Sequence, residues 1–321
     1  MTRREFVRAA SAATAGLALS GVPRPASAQS DQYAFFALNV QDFSYPEYTA
    51  LVLEYALNLH ESLNIPVDIS LTTWMVDLLQ SAPIIARRLV TSPVVSLSYH
   101  TRAPAPYHVN YDWAGVGSLS SAPQYDLVRA YETHGLDLVN GVPLARPGGY
   151  DYYRSLIGRP PVCVGDLAEN STQAAVDTVF SDLGAQMCVV HGRVSNLGER
   201  RNGLYTRPEH YDLRLFGYVG QDPRPIVDSA FAAARTAANA RGPYFVGIKM
   251  HDNDFFAVES AWLTVYQRGS HRPPWNPAIR SALMPYQQMV AMWTLYETTV
   301  RYVAARGIPV VNTSGMLTMA R

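Results

Sequence analysis

The chain of 321 residues is poor in lysine, in cysteine and in charge. Lys249 is the one lysine against 25 arginines, and charged residues make up 16% of the total, so little of the chain is devoted to a charged surface. Basic and acidic residues balance at 26 each, and beyond residue 28 they stand at 22 to 25, about −3 net. That balance excludes the strong basic surplus that nucleic acid or an anionic bilayer would attract. Two cysteines, Cys163 and Cys188, are too few for a disulfide framework even in an oxidising compartment. Each lies in an apolar run three residues before a polar strand end, at Asp166 and His191, so adjacent strands could bring them together. Buried free thiols are the favoured state, because disulfide geometry is demanding. No Gly-x-Ser-x-Gly elbow marks a serine hydrolase. Neither a phosphate-binding P-loop nor a Gly-x-Gly-x-x-Gly fingerprint marks a nucleotide enzyme. No stretch is long and apolar enough to anchor the chain in a membrane.

What is present begins with residues 1–28. Arg3 and Arg4 are followed by Glu5, Phe6, Val7 and Arg8, then by an uncharged Ala- and Gly-rich stretch over 9–22. Ala26-Ser27-Ala28 supplies small residues on either side of a cleavage point. This is the pattern of a twin-arginine signal peptide, with a periplasmic or secreted destination and the Tat export machinery as partner. The twin-arginine route carries cargo that has already folded. Residues 29–321 are expected to form a single domain, and the hydrophobic content of 48% over the chain suffices for its core.

Short apolar runs alternate with helical periodicity along those residues. Strands are expected over 35–42, 66–72, 93–100, 161–166, 187–191, 244–251 and 309–312, with a weaker one over 136–142. Helices are expected over 46–63, 75–90, 124–134, 172–183, 226–241 and 286–305. The reading is an α/β fold, a distorted barrel of seven or eight β/α units. Three long connections, about 101–123, 192–225 and 252–284, follow the C-terminal ends of strands. That is the end at which such barrels build their sites.

Side chains alternate faces along a strand. Asp68, Ser70 and Thr72 therefore share one face, as do Ser96, Ser98 and His100, and Gly247, Lys249 and His251. The opposite faces are apolar throughout, as a helix-covered outer surface requires. The polar rows are expected to look inward, into a lumen that opens at a polar mouth.

The chemistry-bearing residues lie at strand ends. Gln41 and Asp42 end the first strand and His100 the third, with His108 in the loop beyond. His251, Asp252 and Asp254 form a compact cluster after a late strand, and Lys249 shares a face with His251. Tyr107, Tyr111, Trp113, Trp262, Tyr266 and Trp275 put aromatic rings on long loops, suited either to the apolar faces of sugars or to packing the loops down. Each polar residue has a plainer reading as well. Asp42 suits the cap of the helix near Pro46, His100 a satisfied core histidine, and Lys249 an ion pair with a buried carboxylate.

Asn39-Val40-Gln41-Asp42, His100-Thr101-Arg102-Ala103-Pro104, Arg146-Pro147-Gly148-Gly149-Tyr150 and Met250-His251, in this order, resemble the motifs of the polysaccharide deacetylase (NodB-homology) family of the glycoside hydrolase/deacetylase superfamily. The resemblance implies an incomplete β/α barrel and a divalent metal, zinc or similar, held by one Asp and two His. Asp42 and His100 would keep their places in that set, and His108 would stand in for the second histidine, where Pro104 now sits. Gln41 replaces the family's general base, and an amide takes no proton from water near neutral pH. The expected activity is hydrolysis of an acyl or glycosidic bond in a polysaccharide or oligosaccharide. Its catalytic candidates are Asp42, His251, Asp252 and Asp254, and its substrate-binding candidates Gln41, Lys249, Arg146, Tyr107 and Trp113. The alternative is a degenerate barrel that binds a polysaccharide of the cell envelope without cleaving it.

Overall fold

The computed structural model describes residues 31–79, 81–101, 114–167, 171–190, 192–239, 242–270 and 272–321. The expected signal peptide lies outside them. The architecture is α/β, a curled and almost wholly parallel sheet with its helices packed outside. Strand β1 (Gln32–Val40) is central; β2 (Val67–Leu71) and β3 (Val95–His100) follow on one side and β11 (Tyr244–His251) lies on the other. Beyond β3 come β6 (Cys163–Leu167) and β7 (Met187–Val190).

The two edges of this sheet are joined by one stretch of chain. Its first part, β9 (Leu204–Thr206), pairs parallel with β7, and the Arg207 amide donates to the Cys188 carbonyl at 2.8 Å. Its second part, β10 (Tyr211–Arg214), pairs parallel with β11, and the His210 amide donates to the Phe245 carbonyl at 2.9 Å. Residues 204–214 thus serve as a split stave that turns the sheet into a distorted barrel. Pro208 stands at the split, where a missing N–H costs no ladder bond. The short β8 (Arg200–Arg201) flanks β9 as an antiparallel edge.

The helices cover the outside, as the apolar outer faces of the strands demand. They are α1 (Pro46–Leu63), α2 (Thr73–Leu79), α3 (Pro83–Thr91), α4 (Ser121–Thr133), α5 (Gly149–Ile157), α6 (Gln173–Asp182), α7 (Pro223–Ala238) and α8 (Tyr286–Ala305). The helix expected over 75–90 is two helices, because Pro83 cannot donate into a continuing turn and instead opens α3 at its first turn. The weak strand expected over 136–142 is the turn of a small antiparallel ribbon, β4 (His134–Leu136) with β5 (Pro143–Pro147). The strand expected over 309–312 is reduced to one bridge, Ala34 to Val310. The chain there enters α9 (Thr313–Ala320), whose cap is Asn312, its side chain accepting from the Gly315 amide at 3.0 Å.

Register places the inward rows. Across β11, β1 and β2, Lys249 aligns with Ala37 and Ala37 with Asp68, while His251 aligns with Asn39 and Asn39 with Ser70. Ser98 aligns with Ser70, and His100 with Gly165. Lower down, Tyr33, Phe35, Ala37, Cys163, Met187 and Phe245 form an inner apolar cluster, closed from below by Met316 and Leu317 of α9. The outer core, a far larger cluster, lies between the sheet and the helices. Cys163 aligns with Met187 and Val164 with Cys188, so the two cysteines occupy opposite faces of the sheet as buried free thiols.

Candidate functional site

A cavity of about 130 Å³ opens at the C-terminal ends of the strands. Asn39, Ser70, His100, Gly165 and Val189 line it from one side, and Lys249 and His251 from the other. Arg207, Asp212, Arg214 and Phe216 complete the wall from the split stave and the turn that follows it. Every strand residue in this set belongs to an inward row, so strand parity alone carries these side chains to one place.

His251 ends β11 and is held by the turn Asp252–Phe255. Asp254 accepts on one carboxylate oxygen from the His251 amide at 2.7 Å and meets the ring Nδ1 at 3.0 Å. The His251 side chain also accepts from the Asp254 amide, so the turn fixes the place of the ring from both its backbone and its carboxylate. The His251 ring also lies 5.2 Å from that of Phe216. His100 is buried at the end of β3 on the opposite wall.

A chain of charges runs through the interior below these histidines. Lys249 Nζ lies 2.7 Å from Glu209 and 3.2 Å from Asp212. Arg207 donates to the other Glu209 oxygen at 3.2 Å, and Arg214 Nε donates to Asp212 at 3.2 Å. The Arg207 guanidinium stacks 4.6 Å from the centre of the Phe35 ring. Deeper still, Asp68 accepts from the Thr313 amide at 2.8 Å and so ties the first turn of α9 to β2. Burial holds the Asp68 carboxyl above its usual range, against the pull of Arg207.

Asp42 and Asp252 form a second polar centre, beside the cavity and not among its lining residues. Asp42 is fully buried; one oxygen accepts from the Ser44 amide and the other from the Ala261 amide, both at 2.9 Å. Asp252 accepts from the amides of Gln41 and Asp42 and, at 2.8 Å, from the Thr49 hydroxyl. The pair therefore fastens the β1 exit to the long connection after β11. Burial, and next to it the Asp252 charge, push the Asp42 carboxyl up to about 7. Burial raises Asp252 in the same way. Asp42 is thus closed off from the cavity, each oxygen held by a backbone donor, and in this position it does not fit a metal bound there. Among the described residues no group of three or more His, Cys, Asp and Glu side chains comes together to hold a metal ion.

Of the residues expected at the site, Lys249, His100 and His251 line the cavity, and Asp254 positions His251. Gln41 is buried at the β1 exit, and its side-chain oxygen has no hydrogen-bond partner there. Arg146 is exposed on the β4–β5 ribbon, away from the cavity lining. His108, Tyr107, Tyr111 and Trp113 lie outside the described residues. Tyr266 and Trp275 are buried against one another with ring centres 5.2 Å apart, so those two aromatics pack their loop.

Arg207, Glu209, Asp212, Arg214 and Phe216 were not anticipated. The run over 192–225 reads as loop because its alternation breaks. Arg207 shares the face of Tyr205, which aligns with inward Met187, whereas Asp212 aligns with inward Gly247. The five-residue step between them reverses parity at Pro208–His210. Two short polar alternations either side of a proline were the available signal.

No family model matches the chain, and no curated relative does. Among solved structures, a GH57 branching enzyme from Thermococcus kodakaraensis is similar at 10% identity and a TM-score of 0.48, over 91% of this chain and 72% of that one. A GH57-type branching enzyme from Pyrococcus horikoshii is similar at 11% identity and a TM-score of 0.46, over 91% and 71%. A 4-alpha-glucanotransferase from Thermococcus litoralis follows at 8% identity and a TM-score of 0.43, over 90% of this chain and 38% of that one. These likenesses concern the course of the chain and extend to no residue of the site.

Proposed function

We propose that the protein is an exported carbohydrate-active hydrolase whose chemistry centres on His251. The observation that carries this reading is the His251–Asp254 pair at the rim of a polar cavity that the inward rows of the barrel build. With Nδ1 held by Asp254, Nε2 is placed to take a proton from water or to return one to a leaving oxygen. Lys249, Arg207 and His100 supply donors for charge that develops on a carbonyl or glycosidic oxygen. Phe216 offers an apolar face of the kind that sugar rings cover. Export by the twin-arginine route makes envelope or extracellular glycans the natural substrate class.

The resemblance to polysaccharide deacetylases supports an acyl group on a sugar as the first bond to test, with a glycosidic bond next. The family's metal would draw on Asp42, His100 and His108. The Asp42 geometry does not fit that role, and no step here is routed through a metal. The test is turnover by the purified protein on acetylated and unmodified oligosaccharides, with His251→Ala in parallel. Release of acetate or of reducing ends, reduced at least about a hundredfold in the variant, is the expected result. A parent that binds these glycans and cleaves none would leave a binding barrel in its place.

A further inference from the structure

The cavity holds more cations than its carboxylates balance. Arg207, Lys249 and Arg214 share Glu209 and Asp212 between them, three positive groups on two negative ones. Asp68, one oxygen of which accepts from the Thr313 amide, lies deeper and is not among the residues that line the cavity. Arg207 is 6% exposed, and its buried Nε has no hydrogen-bond partner among the described residues. The guanidinium lines the cavity, and its bond to Glu209 uses one of its donors, so an anion that enters meets a cation able to donate to it. Arginine's planar fork suits carboxylate and sulfate oxygens in particular. The ring nitrogens of His100 and His251 flank the same space.

We infer that this cavity receives the anionic group of an acidic sugar, a carboxylate or a sulfate ester, bound by Arg207 and Lys249. The lining carries Arg207, Arg214 and Lys249 against Asp212 alone, a balance that favours an anion. The volume, about 130 Å³, is far below the roughly 300 Å³ at which pockets begin to enclose a drug-sized ligand. It therefore admits one substituted end of a sugar, while the rest of a glycan lies across the mouth beside Phe216. The inference rests on the carbohydrate reading and narrows its substrate class to acidic glycans.

Lys249 gives a reporter that needs no substitution. Growth on 15N-lysine labels one backbone amide in the whole chain, on the strand that lines the cavity. The full chain is titrated with glucuronate, galacturonate, a glucose sulfate ester, glucose, acetate and inorganic sulfate. The expected result is a saturable shift of the Lys249 amide with a sugar acid, at an affinity at least about tenfold tighter than for glucose. The uronate and sulfate-ester arms identify which anion is preferred. Arg214→Ala, at an exposed side chain that is safe for folding, should weaken the sugar acid about threefold and leave glucose unchanged; Lys249→Met, which removes the label and is read by titration calorimetry beside the parent, should weaken it tenfold or more. Glucose binding as tightly as the sugar acids overturns the inference, as does acetate or inorganic sulfate doing so. Cleavage of neutral glycans without sugar-acid binding would remove the inference and leave the hydrolase. Sugar-acid binding without cleavage of any glycan would do the reverse.

Discussion

The two ends of the barrel are built from the same strands by opposite rules. At the N-terminal end the inward positions are Tyr33, Phe35, Cys163, Met187 and Phe245, sealed by Met316 and Leu317. Four to six residues further along β1 and β11 the inward positions become Asn39, Lys249 and His251, and across the barrel β3 ends in His100. The closed end gains stability from apolar area, at roughly 25 cal/mol per Å² removed from water. The open end keeps five charged groups near one another, an arrangement that opposes folding unless each is paired. The boundary is the contact of Arg207 with Phe35, where the last cation of the mouth rests on the first ring of the plug. The lesson is that the plug carries the stability, and the proposed function places the chemistry at the mouth.

The comparison breaks most visibly at Phe35. Phe35→Ala should cost about 3–5 kcal/mol, because a fully buried ring is lost from a plug that α9 cannot collapse to fill. Denaturant unfolding of parent and variant measures it; a loss below about 1 kcal/mol would deny the plug its role. The next effect is on rate and belongs to the mouth. Asp254→Asn leaves His251 in place but removes the carboxylate charge beside its Nδ1, so kcat should fall about tenfold or more while KM changes little. Its pH–rate profile should also move, which a merely structural role would not produce. Smaller again is Gly247→Ala, at the height of Phe35. A Cβ there would meet the Phe35 ring at 2.5 Å, and the overpacking should cost about 1–3 kcal/mol in the same unfolding measurement.

Much of this division is legible in the sequence. The polar rows Asp68-x-Ser70, Ser96-x-Ser98-x-His100 and Lys249-x-His251 announce a lumen because their alternate positions are apolar. Register then brings His251 and His100 to one mouth, as those rows imply. Asp42 shows what parity cannot resolve. It follows the last residue of β1, where the chain turns, and its direction is set by the Ser44 and Ala261 amides. The second of these lies 219 residues away, beyond any local pattern. The split stave is hidden for a different reason. Its two halves obey alternation separately and oppose one another across Pro208, so a single period fits neither. The helix over 313–320 is short enough that its Met, Leu and Thr content alone does not separate it from a strand.

The smallest expected effect concerns pH, and it sets the mouth against the outer core. Asp42, beside the mouth, is pushed up to about 7 by burial and by Asp252, from an ordinary value of 3.8. Between those values the folded chain keeps a proton that the unfolded chain has released. Its contribution to stability is therefore full below about pH 4 and is lost as pH rises through 7. His60, in the outer core, is pulled from 6.5 down to about 4 by burial. Its ring nitrogens meet the Ile65 carbonyl at 3.0 Å and the Tyr296 hydroxyl at 2.7 Å, as a neutral imidazole can. Here the unfolded chain holds the extra proton, so the contribution is present above pH 6.5 and is lost as pH falls toward 4. The two groups act in opposite senses over nearly the same window, so each offsets part of the other's contribution to the dependence of Tm on pH between 4 and 7. Separating them is the measurement. Relative to the parent, Asp42→Asn should turn the slope of Tm against pH upward across that window, and His60→Gln should turn it downward. Parallel curves for parent and Asp42→Asn would mean that the Asp42 carboxyl is already ionised in the fold at pH 4, as a charge held by its two backbone amides.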